Sequence, residues 1–145
     1  MKEMEISKEK KENLIAEAKK AMTNVCPKDN PVVYSAAVLT KQGNIYSSSN
    51  YGSDTASLTL HAEHSVLAHA AAHGEGKISA IAVTSNEKLP RGKFTPPCHM
   101  CKQLLWESYL RSKIPMLVIL ANQYGETKEV SLDEMMPYPW PQKTQ

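Results

Sequence analysis

Two short segments of the sequence combine residue types that bind metal ions and move protons. The first is His61-Ala62-Glu63, and the second is Pro97-Cys98-His99-Met100-Cys101. Each lies just before or at the start of a segment predicted to be helical. A helix N-terminus offers free N–H groups and partial positive charge, which stabilise the thiolate form in which cysteine binds metals. We therefore predict that one histidine and two cysteines meet at a metal ion.

This donor set favours catalytic zinc. His61, Cys98 and Cys101 would leave the fourth position of a tetrahedral zinc free for water, as in catalytic sites, whereas structural sites are closed by four ligands. Zinc held in this way lowers the pKa of its water toward ~7. Glu63 follows the first ligand by two residues, so its carboxylate can reach the same water without binding the metal. The chemistry indicated is metal-assisted hydrolysis with Glu63 as the proton carrier.

A single α/β domain over residues 1–145 is predicted to position these segments. The first predicted elements are a helix over 3–23 and a hairpin of strands over 32–39 and 45–49. The later ones are a helix over 60–73, a strand over 78–84, a helix over 98–111, strands over 116–121 and 127–130, a short capped helix from 131, and an extended proline-rich tail. Helices between strands require crossovers, so we expect a mixed sheet covered on both faces.

Charge and composition argue against several classes of partner. The formal net charge is +2, and Lys and Glu alternate along the first dozen residues. This pattern is typical of a solvated helix face, so we expect no long nucleic acid as a partner.

The longest strongly apolar run, 116–121, is far shorter than the ~20 residues of a membrane helix. The sequence is charged from Lys2 onward without an apolar signal core, and its three cysteines suggest no disulfide framework. We expect a cytoplasmic protein.

The two chemical segments together resemble the signature of a known enzyme family. H-x-E followed by P-C-x-x-C is typical of zinc nucleobase deaminases, and the chain resembles the cytidine deaminase superfamily over nearly its whole length. Cys101-Lys102-Gln103 and Glu134-Met135-Met136-Pro137 resemble the C-R/K-Q and E-L-L-P segments of its small cytidine and blasticidin S deaminase branch. The resemblance implies a three-layer α/β/α fold with a mixed five-stranded sheet.

The resemblance also implies roles for the residues of the site. His61, Cys98 and Cys101 hold one Zn²⁺ per subunit. Glu63 takes a proton from water, gives one to ring N3 and later passes one to the leaving amine. The backbone at Ala62 contacts the base oxygen. The implied reaction is hydrolytic deamination of a 4-aminopyrimidine nucleoside, either cytidine, deoxycytidine or a cytosine-bearing analogue such as blasticidin S.

Further implications concern the substrate pocket and its surroundings. Asn50 stands where family members hydrogen-bond the ribose, eleven residues before His61. Tyr138-Pro139-Trp140 is similar to the Tyr-x-Trp ending of blasticidin S deaminase, so Tyr138 and Trp140 are expected to close the pocket. Small relatives are usually tetramers and sometimes dimers. We therefore expect a homo-oligomer, a tetramer rather than a dimer, that acts on a small nucleoside-like molecule.

The substrate-binding segments depart from the family pattern. Where small members carry F-x-V-G-A-A, this chain begins the motif with Val32, and where they carry N-x-E, Gly52 replaces the Glu. Many members have C-A-E-R where this chain has His61-Ala62-Glu63-His64. One neutral histidine and two thiolates balance the charge of Zn²⁺, so an arginine is no longer needed. Because the sugar contact is incomplete, we expect cytidine to be a poor substrate.

Two other functions remain open at this stage. The chain could deaminate another base, such as tRNA adenosine, guanine or a nucleotide, because a histidine ligand and a P-C-x-M-C pattern are typical there. It could also be a zinc-stabilised binding domain without turnover, against which the intact Glu63 argues.

His64, His69 and His73 share one predicted helix without an H-E-x-x-H pattern, and we interpret them as solvated or packed. We interpret Cys26 as a free thiol.

Overall fold

The computed structural model describes residues 5–144 and contains a five-stranded sheet with helices on both faces. Within these residues the α-helices are α1 (Lys8–Ala21), α2 (Ala62–Ala72), α3 (His99–Ser112) and α4 (Leu132–Met135), and the 3₁₀ turns are Met22–Asn24 and Ala56–Leu58. The strands are β1 (Tyr34–Thr40), β2 (Ile45–Ser49), β3 (Ile78–Ser85), β4 (Leu117–Ala121) and β5 (Thr127–Ser131). The predicted fold, a three-layer α/β/α arrangement around a mixed sheet, is confirmed.

The strand order brings four strand ends to the same edge of the sheet. The order is β2-β1-β3-β4-β5, with β3 and β4 parallel and the other pairs antiparallel. Tyr34 at the start of β1 pairs with Ser85 at the end of β3, and Ser35 pairs with Ser49 at the end of β2. We call this edge, where β1 begins and β2, β3 and β4 end, the site edge, because both chemical segments follow strands that end there.

Alternation along the strands divides the core into two layers. Ala36, Val38, Ile81 and Val83 pack in the cluster that includes α2 and α3. The intervening residues Ala37, Leu39, Ala80 and Ala82 pack against α1. Successive side chains of a strand point to opposite faces, so a strand buried on both faces reads as a continuous apolar run. This explains why β1 and β3 contain runs of Ala, Val, Leu and Ile.

The first helix is shorter than the sequence predicts. The predicted helix over 3–23 begins instead at Lys8, because the Ser7 hydroxyl accepts a hydrogen bond from the Lys10 backbone N–H at 3.2 Å and caps the helix. Positions 3 and 4 lie outside the described residues. The C-terminal end tightens into the 3₁₀ turn Met22–Asn24. The other helix and strand boundaries fall within two residues of those predicted.

The C-terminal tail bends back onto α3 and is not extended as predicted. The Gln103 side-chain amide donates to the Trp140 carbonyl at 2.7 Å, and the Trp106 indole N–H donates to the Pro141 carbonyl at 2.7 Å. Tyr138 adopts a left-handed conformation with φ of 51°. The prediction failed because the prolines indicate an absence of helix but carry no information on these contacts with α3. The predicted capping box, Ser131 with Glu134, is confirmed.

None of the helices within residues 5–144 has the length and apolarity required to cross a lipid bilayer.

Replacing Leu14 with alanine tests the packing of α1 on the sheet. Leu14 is 0% exposed in the cluster that joins α1 to β1 and β3. Deleting a buried leucine costs about 2–5 kcal/mol of unfolding free energy, because transfer energy is lost and a cavity remains. We expect that loss in urea unfolding at fixed protein concentration. Asn13→Ala is the matched control, because Asn13 is exposed on the same helix and the expected change is below ~0.5 kcal/mol. Equal losses of unfolding free energy in the two variants would contradict the packing of α1 on the sheet.

Candidate metal centre

The three predicted metal ligands meet at the site edge. The His61 Nδ1 atom lies 3.2 Å from Cys101 Sγ and 3.4 Å from Cys98 Sγ. Zinc bonds of ~2.0–2.1 Å to nitrogen and ~2.3 Å to sulfur at tetrahedral angles separate two such ligand atoms by about 3.5 Å. The observed separations are close to that value. One nitrogen and two sulfurs therefore converge as a zinc-binding donor set requires.

Two helix starts bring these ligands together. His61 is the N-cap of α2 and Cys98 is the N-cap of α3, and both residues have extended backbone conformations. Cys101 lies in the first turn of α3 and is fully buried, whereas Cys98 is exposed. The site is consequently closed from below by the protein core and open to solvent on the side of Cys98. A substrate can approach from that side.

Glu63 lies beneath the ligands in the first turn of α2. Its side chain is only 7% exposed, and burial raises the pKa of the Glu63 carboxyl, although its own backbone N–H, Cys101 and His61 act in the opposite direction. A raised pKa brings a carboxyl closer to neutral, where a group that must both accept and donate a proton works best. The position and the environment of Glu63 are those of a proton carrier.

The Cys101 thiol is in an environment that requires a cation. Burial raises the pKa of this thiol far above its usual range, and the neighbouring Glu63 carboxylate and Cys98 raise it further. A buried thiolate beside a carboxylate is unfavourable unless positive charge offsets both. Bound zinc provides such charge and deprotonates a coordinating thiol. The residues present therefore fit the metal, with His61, Cys98 and Cys101 as the donors.

His64 belongs to the same cluster, although the sequence interpretation placed it outside the site. Its Nε2 atom lies 3.5 Å from Cys101 Sγ, and its ring stacks on His61 with centroids 5.0 Å apart and planes 14° apart. The ligand atoms of His61, His64 and Cys101 all lie within 4.8 Å of one another. Burial lowers the pKa of His64, with His61 adding to this effect, so a neutral ring is favoured. The i, i+3 spacing from His61 was the available signal.

Replacing His64 with alanine should weaken zinc binding without unfolding the protein. The neutral ring can donate a hydrogen bond to the Cys101 sulfur and holds the His61 ring by stacking. Losing such an outer partner typically costs 10–100-fold in metal affinity. We expect that loss in competition with a chelator. His69→Ala is the matched control on the same helix, because His69 contacts the Ser47 carbonyl at 3.0 Å instead. Equal zinc affinities of the two variants would contradict this role.

Of the predicted substrate contacts, Ala62 directly follows the first ligand, and Asn50 directly follows β2 at the same edge of the sheet. Ala62 is fully buried as the first residue of α2, so its N–H is among those without a partner inside the helix. The Asn50 side-chain oxygen accepts from the Tyr34 N–H at 2.8 Å, and the Asn50 N–H donates to the Tyr34 carbonyl at 3.1 Å. Asn50 thus fixes the start of β1 at the site edge.

The structure does not bury Tyr138 or Trp140, the other two predicted substrate contacts. Tyr138 is fully exposed and Trp140 is 75% exposed. The Trp140 carbonyl is held by Gln103, two residues after Cys101, which keeps this part of the tail near the start of α3. In the isolated chain these aromatic rings therefore project into solvent.

The class of site can be stated from this geometry. Two helices begin at one edge of a mixed sheet, and their first residues supply one imidazole, two thiols and a buried carboxylate. One imidazole and two thiols are donors of the kind that bind zinc in sites with three protein ligands. The same combination of donors and carboxylate characterises the zinc deaminases.

Comparisons with known proteins agree with that class. Residues 8–118 match the family described as the cytidine and deoxycytidylate deaminase zinc-binding region. A cytidine deaminase of Sporosarcina psychrophila is 29% identical over 126 residues, which cover 87% of this chain and 88% of the relative. The crystal structure of a cytidine deaminase from Burkholderia pseudomallei has a TM-score of 0.77 at 26% identity, covering 89% of this chain and 98% of the other. A cytidine deaminase from Mycobacterium tuberculosis, 21% identical with a TM-score of 0.72, covers 90% of this chain and 97% of its own and shares the fold.

The chain belongs to the cytidine and deoxycytidylate deaminase zinc-binding family. The family resemblance inferred from His61-x-Glu63 and Pro97-Cys98-x-x-Cys101 is confirmed. The predicted enzyme class, a hydrolase acting on the C–N bond of a cyclic amidine, is confirmed with it.

Proposed function

We propose that the protein is a zinc-dependent hydrolytic deaminase of a 4-aminopyrimidine nucleoside. Its substrates would be cytidine or deoxycytidine, or a cytosine-bearing analogue such as blasticidin S. The observation that carries the proposal is the buried Glu63 carboxyl beside the convergent His61, Cys98 and Cys101 donors. A structural zinc site has no use for such a carboxyl.

Each residue of the centre has a role in this reaction. His61, Cys98 and Cys101 would hold one zinc ion per chain, which supplies Lewis acidity and activates water when bound. Glu63 takes a proton from the attacking water and delivers it to ring N3 while the water oxygen bonds to C4. Glu63 then passes the second water proton to the amine as the C4–N bond breaks, so ammonia leaves and a carbonyl remains. The Ala62 N–H donates to the base oxygen.

The remaining pocket residues would bind the part of the substrate outside the ring. The side-chain oxygen of Asn50 is occupied by Tyr34, whereas its amide Nδ2 has no partner among residues 5–144 and is available to a sugar oxygen. Tyr138 and Trp140 would close the pocket, either from the same chain or from a neighbouring copy. Their exposure supports a role in contacts that the isolated chain does not make.

We propose a homo-oligomer, a tetramer rather than a dimer, in the cytoplasm. Exposed apolar side chains beside the first ligand support the assembly, since Tyr51, Leu58 and Leu60 are each about half exposed or more. The assignment of Cys98 and Cys101 as metal ligands and of Cys26 as a free thiol supports a reducing compartment. Sedimentation of the zinc-loaded protein tests the assembly, and a monomer at all concentrations would contradict it.

A substrate panel tests the proposed function. Zinc-loaded protein is incubated with cytidine, deoxycytidine, cytosine, blasticidin S, adenosine and guanine, and ammonia release is measured. Release from cytidine or deoxycytidine would identify a nucleoside deaminase, and release from blasticidin S alone would identify an antibiotic-directed pocket. Release from adenosine or guanine alone would contradict the pyrimidine assignment. No release from any compound by protein of verified zinc content would contradict the proposal as a whole.

A further inference from the structure

A carboxylate that the sequence interpretation did not consider lies just beyond the end of β3, at the site edge. Glu87 follows the end of β3 by two residues and is half-buried. One of its oxygens accepts from the Tyr34 hydroxyl, and the other accepts from the Thr95 hydroxyl at 3.2 Å. Its own N–H donates to the Ser85 hydroxyl at 3.2 Å. The carboxylate is therefore held in a fixed position by two different segments of the chain.

Hydrogen bonds and short chain segments link this carboxylate to both halves of the metal centre. On one side, Leu60 precedes the first ligand and exchanges two backbone hydrogen bonds with Tyr51, at 2.8 and 2.9 Å. The neighbouring Asn50 is bonded twice to Tyr34, and Tyr34 is bonded to Glu87.

On the other side, Thr95 lies three residues before Cys98. Three residues span at most ~11 Å, so the segment that holds the second carboxylate oxygen leads directly to the second ligand. The carboxylate thus joins the start of β1, which Asn50 also holds, to the segment that leads into α3.

Tyr34 is the donor that holds one side of this carboxylate. The hydrogen bond to Glu87 is the main reason why the pKa of Tyr34 is raised to about 12, and burial, the Glu87 charge and the Glu63 charge add to it. Tyr34 therefore keeps its proton at neutral pH and donates a hydrogen bond to Glu87.

The chemistry of Glu87 selects the group that it can bind. An ionised carboxylate has about four acceptor sites, and the protein donors noted above occupy one on each oxygen. Two acceptor sites on adjacent oxygens remain, which matches a pair of neighbouring hydroxyl donors. The loop over 86–97 carries the exposed cations Lys88, Arg91 and Lys93 and no other acidic residue, so it disfavours a positively charged group. A neutral diol satisfies both conditions.

We propose that Glu87 is a specificity-determining residue that accepts hydrogen bonds from the neighbouring hydroxyl groups of the substrate's sugar. The inference rests on the proposed function, since it assigns the sugar end of the same pocket. Tyr34 and Thr95 are positioning residues for this carboxylate.

Ligand binding without turnover tests the inference. Zinc-loaded protein is titrated with uridine, the product nucleoside, and with 2′,3′-dideoxyuridine, which lacks the hydroxyl pair. We expect the wild type to prefer uridine, and Glu87→Gln to weaken uridine binding by roughly 10- to 100-fold, as for loss of hydrogen bonds to a charged group. The affinity for dideoxyuridine should be unchanged. Tyr34→Phe should produce a smaller loss of the same kind, because the carboxylate remains but is less fixed.

The controls separate recognition from structure and from catalysis. Glu12→Gln removes an exposed carboxylate of α1 and should leave both affinities unchanged. Equal weakening of both ligands by Glu87→Gln, or no preference of the wild type for uridine, would overturn the inference. If uridine binding depends on Glu87 but no ammonia is released from cytidine, the proposed function fails while the inference stands. Conversely, if Glu87→Gln releases ammonia from cytidine with the KM of the wild type, the proposed function stands and the inference fails.

Discussion

Replacing Glu63 with alanine is expected to lower deaminase activity by about two to four orders of magnitude, the usual contribution of a positioned acid–base group. Every proton transfer in the proposed reaction passes through this carboxyl, and within residues 5–144 it is the one carboxylate that shifts the pKa of Cys101. The zinc content and the fold should be unchanged, because Glu63 is not one of the three proposed metal ligands. Initial rates and zinc content are measured on the same preparations, with Glu63→Gln as an isosteric second variant.

The matched control for Glu63 lies on another helix. Glu9 occupies the same position of α1 as Glu63 occupies in α2, the second residue of the helix. Glu9→Ala therefore removes the same interaction with a helix N-terminus, but Glu9 has no role in the reaction. The variant should retain wild-type activity. Loss of zinc from Glu63→Ala would indicate that this carboxylate supports the metal centre rather than the proton transfers.

Replacing Cys101 with alanine should abolish stoichiometric zinc binding and, with it, activity. Cys101 is the only fully buried thiol among the described residues and lies close to both histidines of the cluster. Because metal binding stabilises only the folded protein, zinc should raise the melting temperature of the wild type but not of this variant. Without zinc the two proteins should differ by only about 1 kcal/mol, the usual cost of a single substitution.

Cys26 provides the control for Cys101. Its side chain is exposed, and none of the three proposed ligands lines the pocket that it borders. Cys26→Ala should bind zinc as the wild type does, with the same increase in melting temperature. If Cys101→Ala retained zinc with wild-type affinity, the ligand assignment would be wrong.

The three proposed ligands and Glu63 could be predicted from sequence because their identities and spacing are local. H-x-E and C-x-x-C each lie within one helix start, and only their meeting depends on the fold. Short apolar runs bounded by turn residues predicted the strands, and Ser131 with Glu134 predicted α4. These signals require no knowledge of distant contacts, which explains why the structure agrees with them.

The features that were missed depend on contacts between distant segments. His64 approaches Cys101 only because α2 and α3 begin at the same edge, and Glu87 meets Tyr34 only through the pairing of β1 with β3. The bend of the tail depends on Gln103 and Trp106 of α3. No periodicity or motif encodes such pairs. Sequence reasoning therefore identified the chemistry of the centre more fully than the pocket around it.

The most direct test of the central claim follows the oxygen atom. Zinc-loaded protein is incubated with the most active compound of the panel in oxygen-18 water, and the product is analysed by mass spectrometry with parallel measurement of ammonia. The account predicts one heavy oxygen in the ring carbonyl and one ammonia for each product molecule, with both signals lost in Glu63→Ala and after chelation. Product formation that persists without zinc, or that lacks the heavy oxygen, would contradict a hydrolytic metal centre at His61, Cys98 and Cys101.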